Sequence, residues 1–95
     1  MTEIIKKEYD NRVEYLLNGK NHNDNGPAFI RNDGYQCWFN HGEYHNPDGP
    51  AIIWSDGSTF WYINGLRHRI GEPAVEFKNG RKEWWENGTL IKIEN

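Results

Sequence analysis

One interval governs this chain of 95 residues: Asn18-Gly19 recurs as His41-Gly42, Asn64-Gly65 and Asn87-Gly88, each 23 residues after the last. Gly26-Pro27-Ala28 returns at the same interval as Gly49-Pro50-Ala51 and then as Glu72-Pro73-Ala74. Asp33-Gly34 returns as Asp56-Gly57 and Asn79-Gly80, and no insertion breaks the register. Periodic self-similarity of this length marks a chain built from copies of one supersecondary unit. Each copy buries its apolar face only against its neighbours.

The unit reads as a β-hairpin. Asp-Gly or Asn-Gly between two short apolar runs is the strongest local hairpin signal, because a two-residue turn needs positive φ at both positions. Pairing is expected between 28–32 and 35–40, 51–55 and 58–63, and 74–78 and 81–86. A first pair, 4–9 with 12–17, would turn at Asp10-Asn11. The second dipeptide, Asn-Gly, falls in the expected connecting loops together with a His and the Gly-Pro. Proline there stands at a strand start, where its missing donor does least harm. The chain is therefore expected to be one all-β domain over 1–95, with units at about 4–17, 27–40, 50–63 and 73–86 and a cap at 87–95. The units would form one elongated, twisted antiparallel sheet or a half-barrel.

Composition agrees. Apolar residues are only 36% of the chain while aromatic residues reach 15%, so a few large rings must supply much of the buried area. Ten Gly and twelve Asn suit many tight turns. The formal net charge of -3, with both signs interleaved, argues against nucleic-acid binding, which needs a basic stripe. Cys37 is the only cysteine, which excludes an intramolecular disulfide or a Cys-rich zinc site. The opening Met1-Thr2-Glu3-Ile4-Ile5-Lys6-Lys7 lacks a signal peptide's apolar stretch, and no segment has the apolar length to span a membrane. A soluble cytoplasmic protein without membrane insertion is the expectation.

These motifs resemble the MORN repeat family (membrane occupation and recognition nexus), which shares the 23-residue period and the hairpin construction. The matching features are the period, the Asp-Gly turn, the aromatic in the following strand and the Asn-Gly after it, over roughly 4–88. The family's usual Tyr-x-Gly is here Trp38-Phe39-Asn40 or Trp61-Tyr62-Ile63, and Gly-Pro-Ala replaces its Gly-x-Gly. The chain is thus similar to a divergent His-x-x-x-Gly-Pro-Ala variant of bacterial, phage and giant-virus proteins. The resemblance implies the elongated sheet, protein association and, less directly given the negative charge, membrane tethering. Trp-x-x-Asn-Gly is also similar to choline- and glucan-binding cell-wall repeats, but those have a shorter period.

A repeat helps to separate scaffold from site. Catalysis needs unlike groups converging on one point, so an unvarying repeated residue is a poor catalytic candidate. His22, His45 and His68 recur every 23 residues. They would lie about 9–10 Å apart across two strand spacings, too far to share a zinc ion. Each ring is expected to hydrogen-bond its own loop beside the Gly-Pro. Trp38, Trp61 and Trp84, with Tyr15 before them, share one sheet face by alternation and are read as the core ladder. Leu16, Phe39, Tyr62 and Trp85 fall on the other face. Departures from the repeat are the better candidates for partner or ligand contact: Trp54 and Trp85, with Tyr44 added. The cationic run Arg67, Arg69, Lys78, Arg81 and Lys82 would either bind an anionic group such as a phosphate or form an ordinary solvated face, the second being favoured.

No catalytic motif, cofactor site or metal site is legible. The expected function is a non-enzymatic protein-interaction module that uses aromatic sheet faces to bind itself or another protein, as a phage-type or bacterial accessory protein would. The alternative is a small-ligand binder, taking a sugar on Trp or a nucleotide-like anion on Arg67, Arg69 and Arg81.

Overall fold

The computed structural model describes residues 3–95; Met1 and Thr2, at the head of the opening segment, lie outside the described residues. Among the described residues there are fourteen strands and no helix. In chain order they are β1 (Ile5–Glu8), β2 (Arg12–Leu17), β3 (Lys20–Asn21), β4 (Phe29–Arg31), β5 (Gln36–Cys37), β6 (Phe39–Asn40) and β7 (Glu43–Tyr44). Then follow β8 (Ile52–Ile53), β9 (Thr59–Phe60), β10 (Tyr62–Ile63), β11 (Leu66–Arg67), β12 (Val75–Glu76), β13 (Lys82–Glu86) and β14 (Thr89–Glu94). Ten strands make one antiparallel sheet in the order β1-β2-β4-β5-β8-β9-β12-β13-β14, with β3 paired to β2. The pairs β6-β7 and β10-β11 are separate two-stranded ribbons. The molecule measures 44 × 28 × 16 Å, and its radius of gyration of 14.1 Å exceeds the roughly 12 Å of a compact domain of this length.

The four hairpins expected from sequence all form, β1-β2, β4-β5, β8-β9 and β12-β13. Their turn chemistry differs from the expectation. The non-glycine residues with positive φ are Asn18 (52°), His41 (49°), Asn64 (48°) and Asn87 (49°), each followed by a left-handed Gly. Two-residue turns with both residues left-handed therefore belong to the Asn-Gly series. That series is not loop: it closes β2-β3, β6-β7, β10-β11 and β13-β14. At Asp33-Gly34 only the glycine is left-handed. Arg31 N donates to Tyr35 O, Gly34 N to Arg31 O, and Tyr35 N to the Asp33 carboxylate. This is a three-residue turn with a glycine bulge. Asp56-Gly57 and Asn79-Gly80 repeat its bonds through Trp54, Ser58, Phe77 and Arg81.

Backbone bonds recur at the sequence period. Tyr15, Trp38 and Trp61 donate to the carbonyls of Ala28, Ala51 and Ala74, and accept from the amides of His22, His45 and His68. Gly42, Gly65 and Gly88 donate to the carbonyls of Asn21, Tyr44 and Arg67. Ala28, Ala51 and Ala74 have no exposed surface, so a larger side chain has no room at those positions.

The core is one row across the sheet. Register places Glu14, Phe29, Cys37, Ile52, Phe60, Val75 and Glu83 opposite one another in succession, and directly paired residues share a face. Cys37, Ile52, Phe60 and Val75 are its buried centre, and Phe29, Tyr35, Phe39, Tyr44, Tyr62, Phe77 and Trp85 pack against it. The row expected to be core, Trp38, Trp61 and Trp84, lies on the opposite face and is only half-buried. The reason is the ribbons: Phe39, Tyr44 and Tyr62 come from β6, β7 and β10 and cover the Cys37–Phe60 face, leaving the tryptophan face to the polar loops.

Candidate functional site

Clefts on both faces of the sheet carry the chemistry, one beside Trp54 and two on the tryptophan face. The first begins at the bulged turn after β8. Ile52 faces the core, so Trp54, two residues on, leaves the strand on the same side. Its ring sits 5.0 Å from Tyr35 and 5.6 Å edge-on to Phe60, and Phe60 is 5.6 Å from Phe77. Trp54, Phe60 and Phe77 line a cavity of about 290 Å³ that also touches Ser55, Asp56 and Ser58. Trp54 remains 37% exposed.

Trp85 and Tyr44 are engaged differently. Trp85 packs against the core and its Nε1 donates to Glu83 Oε1 at 2.8 Å. Tyr44 stacks on Phe39 at 4.6 Å and lies 5.1 Å from Tyr62, and burial raises its hydroxyl above the ordinary tyrosine range. Both are packing groups rather than free contact residues. Burial also pushes the Cys37 thiol up, which keeps it protonated and weakly nucleophilic.

The arginines expected to gather an anion meet carboxylates. Glu83 is only 8% exposed. Arg81 Nε donates to its Oε2 at 3.2 Å and Arg67 Nη1 lies 3.9 Å from Oε1. Arg67 also bonds the Tyr62 hydroxyl at 3.1 Å and lies over Phe60 and Trp85. At the other end of the core row, Glu14 accepts from Arg12 and Asn21. Both ends of the apolar row thus finish on a carboxylate held by arginine. Arg69 stands apart: its guanidinium lies 3.9 Å over Trp61, donates to Pro73 O at 3.1 Å, and is 3.8 Å from Glu76.

The histidines all act between periods, and among the described residues His22 alone also shows the side-chain bond within its own loop expected of each ring. His22 Nδ1 accepts the amide of His41 at 3.0 Å, His45 Nδ1 that of Asn64 at 3.0 Å, and His68 Nδ1 that of Asn87 at 2.9 Å. Each ring secures the left-handed residue of the next Asn-Gly-type turn, always 19 residues on. His22 adds a bond from Nε2 to Asp24 at 2.7 Å. Among the described residues, no three His, Cys, Asp or Glu side chains gather as a metal site.

The second cleft, about 560 Å³, opens on the tryptophan face. It is lined by Trp38, Phe39 and Asn40 together with the loops at 22–26 and 45–48. A third cleft, of about 490 Å³, lies one period later on this face, lined by Trp61 with Asn46, Pro47, His68 and Arg69. Sequence reasoning passed over this face because its residues repeat and so read as scaffold. The usable signal was the position eight residues after each aromatic, which runs Asn23, Asn46, Arg69, Lys92.

Among the described residues no helix is long and apolar enough to cross a membrane. No protein-family model, no curated protein and no solved structure matches this chain.

Proposed function

We propose that the chain is a non-enzymatic protein-interaction module, a divergent MORN-type tandem of hairpin units whose sheet presents the Trp54 cleft to another protein. The observation that carries this reading is an indole 37% exposed beside an aromatic cavity. Exposed aromatic patches on small proteins mark interaction sites, and tryptophan is the residue most enriched at binding hot spots. The core supports the same reading. With seven buried apolar residues among the described ones, three of them alanine, the chain leaves large rings at its surface that a partner would cover. The last strand, β14, is an exposed edge bearing Leu90, Ile91 and Ile93, suited to receive a partner's strand.

Affinity capture from the native host with wild type and Trp54→Ala, paired with sedimentation of the purified chain, tests this. A specific partner or a self-association lost in Trp54→Ala supports the reading. A chain monomeric at every concentration, whose captured partners ignore Trp54→Ala, defeats it. The small-ligand alternative finds its support in the Trp38 cleft, whose lining of aromatic, Asn and Asp residues suits a stacked sugar. A saturable rise in melting temperature with glycans would favour that alternative.

A further inference from the structure

Trp38, Trp61 and Trp84 are each followed, eight residues on, by Asn46, Arg69 and Lys92. At two of the three that position is a cation. Arg69 lies 3.9 Å over Trp61 and Lys92 lies 4.7 Å over Trp84. After Trp38 the same position is Asn46, whose short amide makes the proline-carbonyl bond, Asn46 Nδ2 to Pro50 O at 3.0 Å, that Arg69 makes to Pro73. So Asn46 reproduces the backbone role of Arg69 without placing a charge on the indole. The Trp38 cleft holds Asp24 and Asp48 among its lining residues and no Lys or Arg. The Asp24 side chain is 69% exposed.

We propose that the Trp38 cleft receives the guanidinium of an arginine side chain carried by a partner protein. The face of tryptophan is the best aromatic surface for a cation. Guanidinium is planar, stacks on aromatic faces and offers five donors to surrounding carboxylates and carbonyls. Two carboxylates give the cleft the complementary charge. The chain itself fills the equivalent position over Trp61 with this same group, which fixes the chemistry of the occupant. The inference rests on the protein-interaction reading for the identity of the partner, and it places a second contact on the face opposite Trp54.

The test uses a small probe, so that its failure is distinct from failure of the Trp54 reading. N-acetyl-arginine-methylamide is titrated into the intact chain while the Trp38 indole Nε1–H resonance is followed by NMR, with the citrulline analogue as the uncharged control. Saturable shifts at Trp38 with a millimolar Kd, absent with citrulline, are expected. Asn46→Arg should abolish binding by filling the cleft as Arg69 fills its own, and Arg69→Asn should create a second site at Trp61. Asp24→Asn with Asp48→Asn, which leaves the loop bonds' geometry available, should weaken binding several-fold and serves if Asn46→Arg does not fold. Equal shifts with arginine and citrulline, no saturable shift at Trp38, or saturation by a neutral oligosaccharide in place of arginine would overturn the proposal.

Discussion

Replacing Glu83 by Ala removes the group on which Arg81, Arg67 and the Trp85 indole converge. The largest loss is the indole bond. A hydrogen bond to a charged acceptor contributes about 1.5–3 kcal/mol, and the half-buried donor recovers only part of that from water. Arg67 and Arg81 keep 33% and 38% of their side-chain surface exposed, so solvent screens them and their share is held to about 0.5–1 kcal/mol together. The total, about 2–3 kcal/mol, is large against the roughly 5–14 kcal/mol expected for a chain of this length. It corresponds to a fall in melting temperature of about 10–20 °C. Glu83→Gln keeps an acceptor for the indole and should cost about 1–1.5 kcal/mol. It also leaves two guanidiniums without their counter-charge, so inorganic phosphate should stabilise Glu83→Gln and not the wild type. Urea unfolding followed by tryptophan fluorescence gives both costs, and melting in phosphate gives the third result. A Glu83→Ala midpoint within about 0.5 kcal/mol of wild type, or equal phosphate stabilisation of wild type and Glu83→Gln, would refute the view that Glu83 neutralises this cluster.

Other consequences are open to measurement. His45→Ala frees the Asn64 amide from its acceptor; it should cost about 0.5–1.5 kcal/mol and speed hydrogen exchange at Asn64 more than at Asn87. Gly57→Ala meets no atom within 4 Å but must adopt φ of +94°, so a purely conformational cost of about 1–2 kcal/mol is expected in thermal melts. Acid should destabilise the fold. Asp33 is held below its ordinary range chiefly by the Arg31 side chain, and Asp56 by the Ser58 amide. Glu14 is pushed up by burial but brought lower on balance by bonds from Asn21 and Arg12. Carboxyls depressed in the folded state contribute stability above their ordinary values, 3.8 for Asp and 4.5 for Glu, and lose it as pH falls through the lower folded values. Urea midpoints at constant salt should therefore hold from neutrality down to that range and then drop. Alkali should act in the opposite sense through Cys37, Tyr35 and Tyr44. Burial raises all three, so their stabilisation is lost as pH rises from the ordinary thiol value of 9.0 through the raised ones.

Local chemistry was legible in the recurrence alone. A dipeptide such as Asn64-Gly65 or Asp56-Gly57 needs no distant contact to bend the chain, and flanking β-formers pair across it. The hairpins β1-β2, β4-β5, β8-β9 and β12-β13 could therefore be placed in advance, as could the all-β class. Tertiary structure decided three things that periodicity leaves degenerate. Both dipeptides signal a turn, but the intervening chain geometry makes the Asn-Gly series the two-residue turns and the Asp-Gly series the bulged ones. Alternation supplies two apolar faces of similar character, and only the ribbons carrying Phe39, Tyr44 and Tyr62 choose the Cys37–Phe60 side as core. The fate of each charge depends on what folding brings near it. Arg67 lies in β11 and turns toward Glu83, whereas Arg69, two residues on and beyond the end of that strand, lies over Trp61. The interval of 23 residues determined what is built; the choice of face determined which tryptophans are exposed, which arginines are neutralised, and that, among the described residues, a cation lies over the rings of Trp61 and Trp84 but not over that of Trp38.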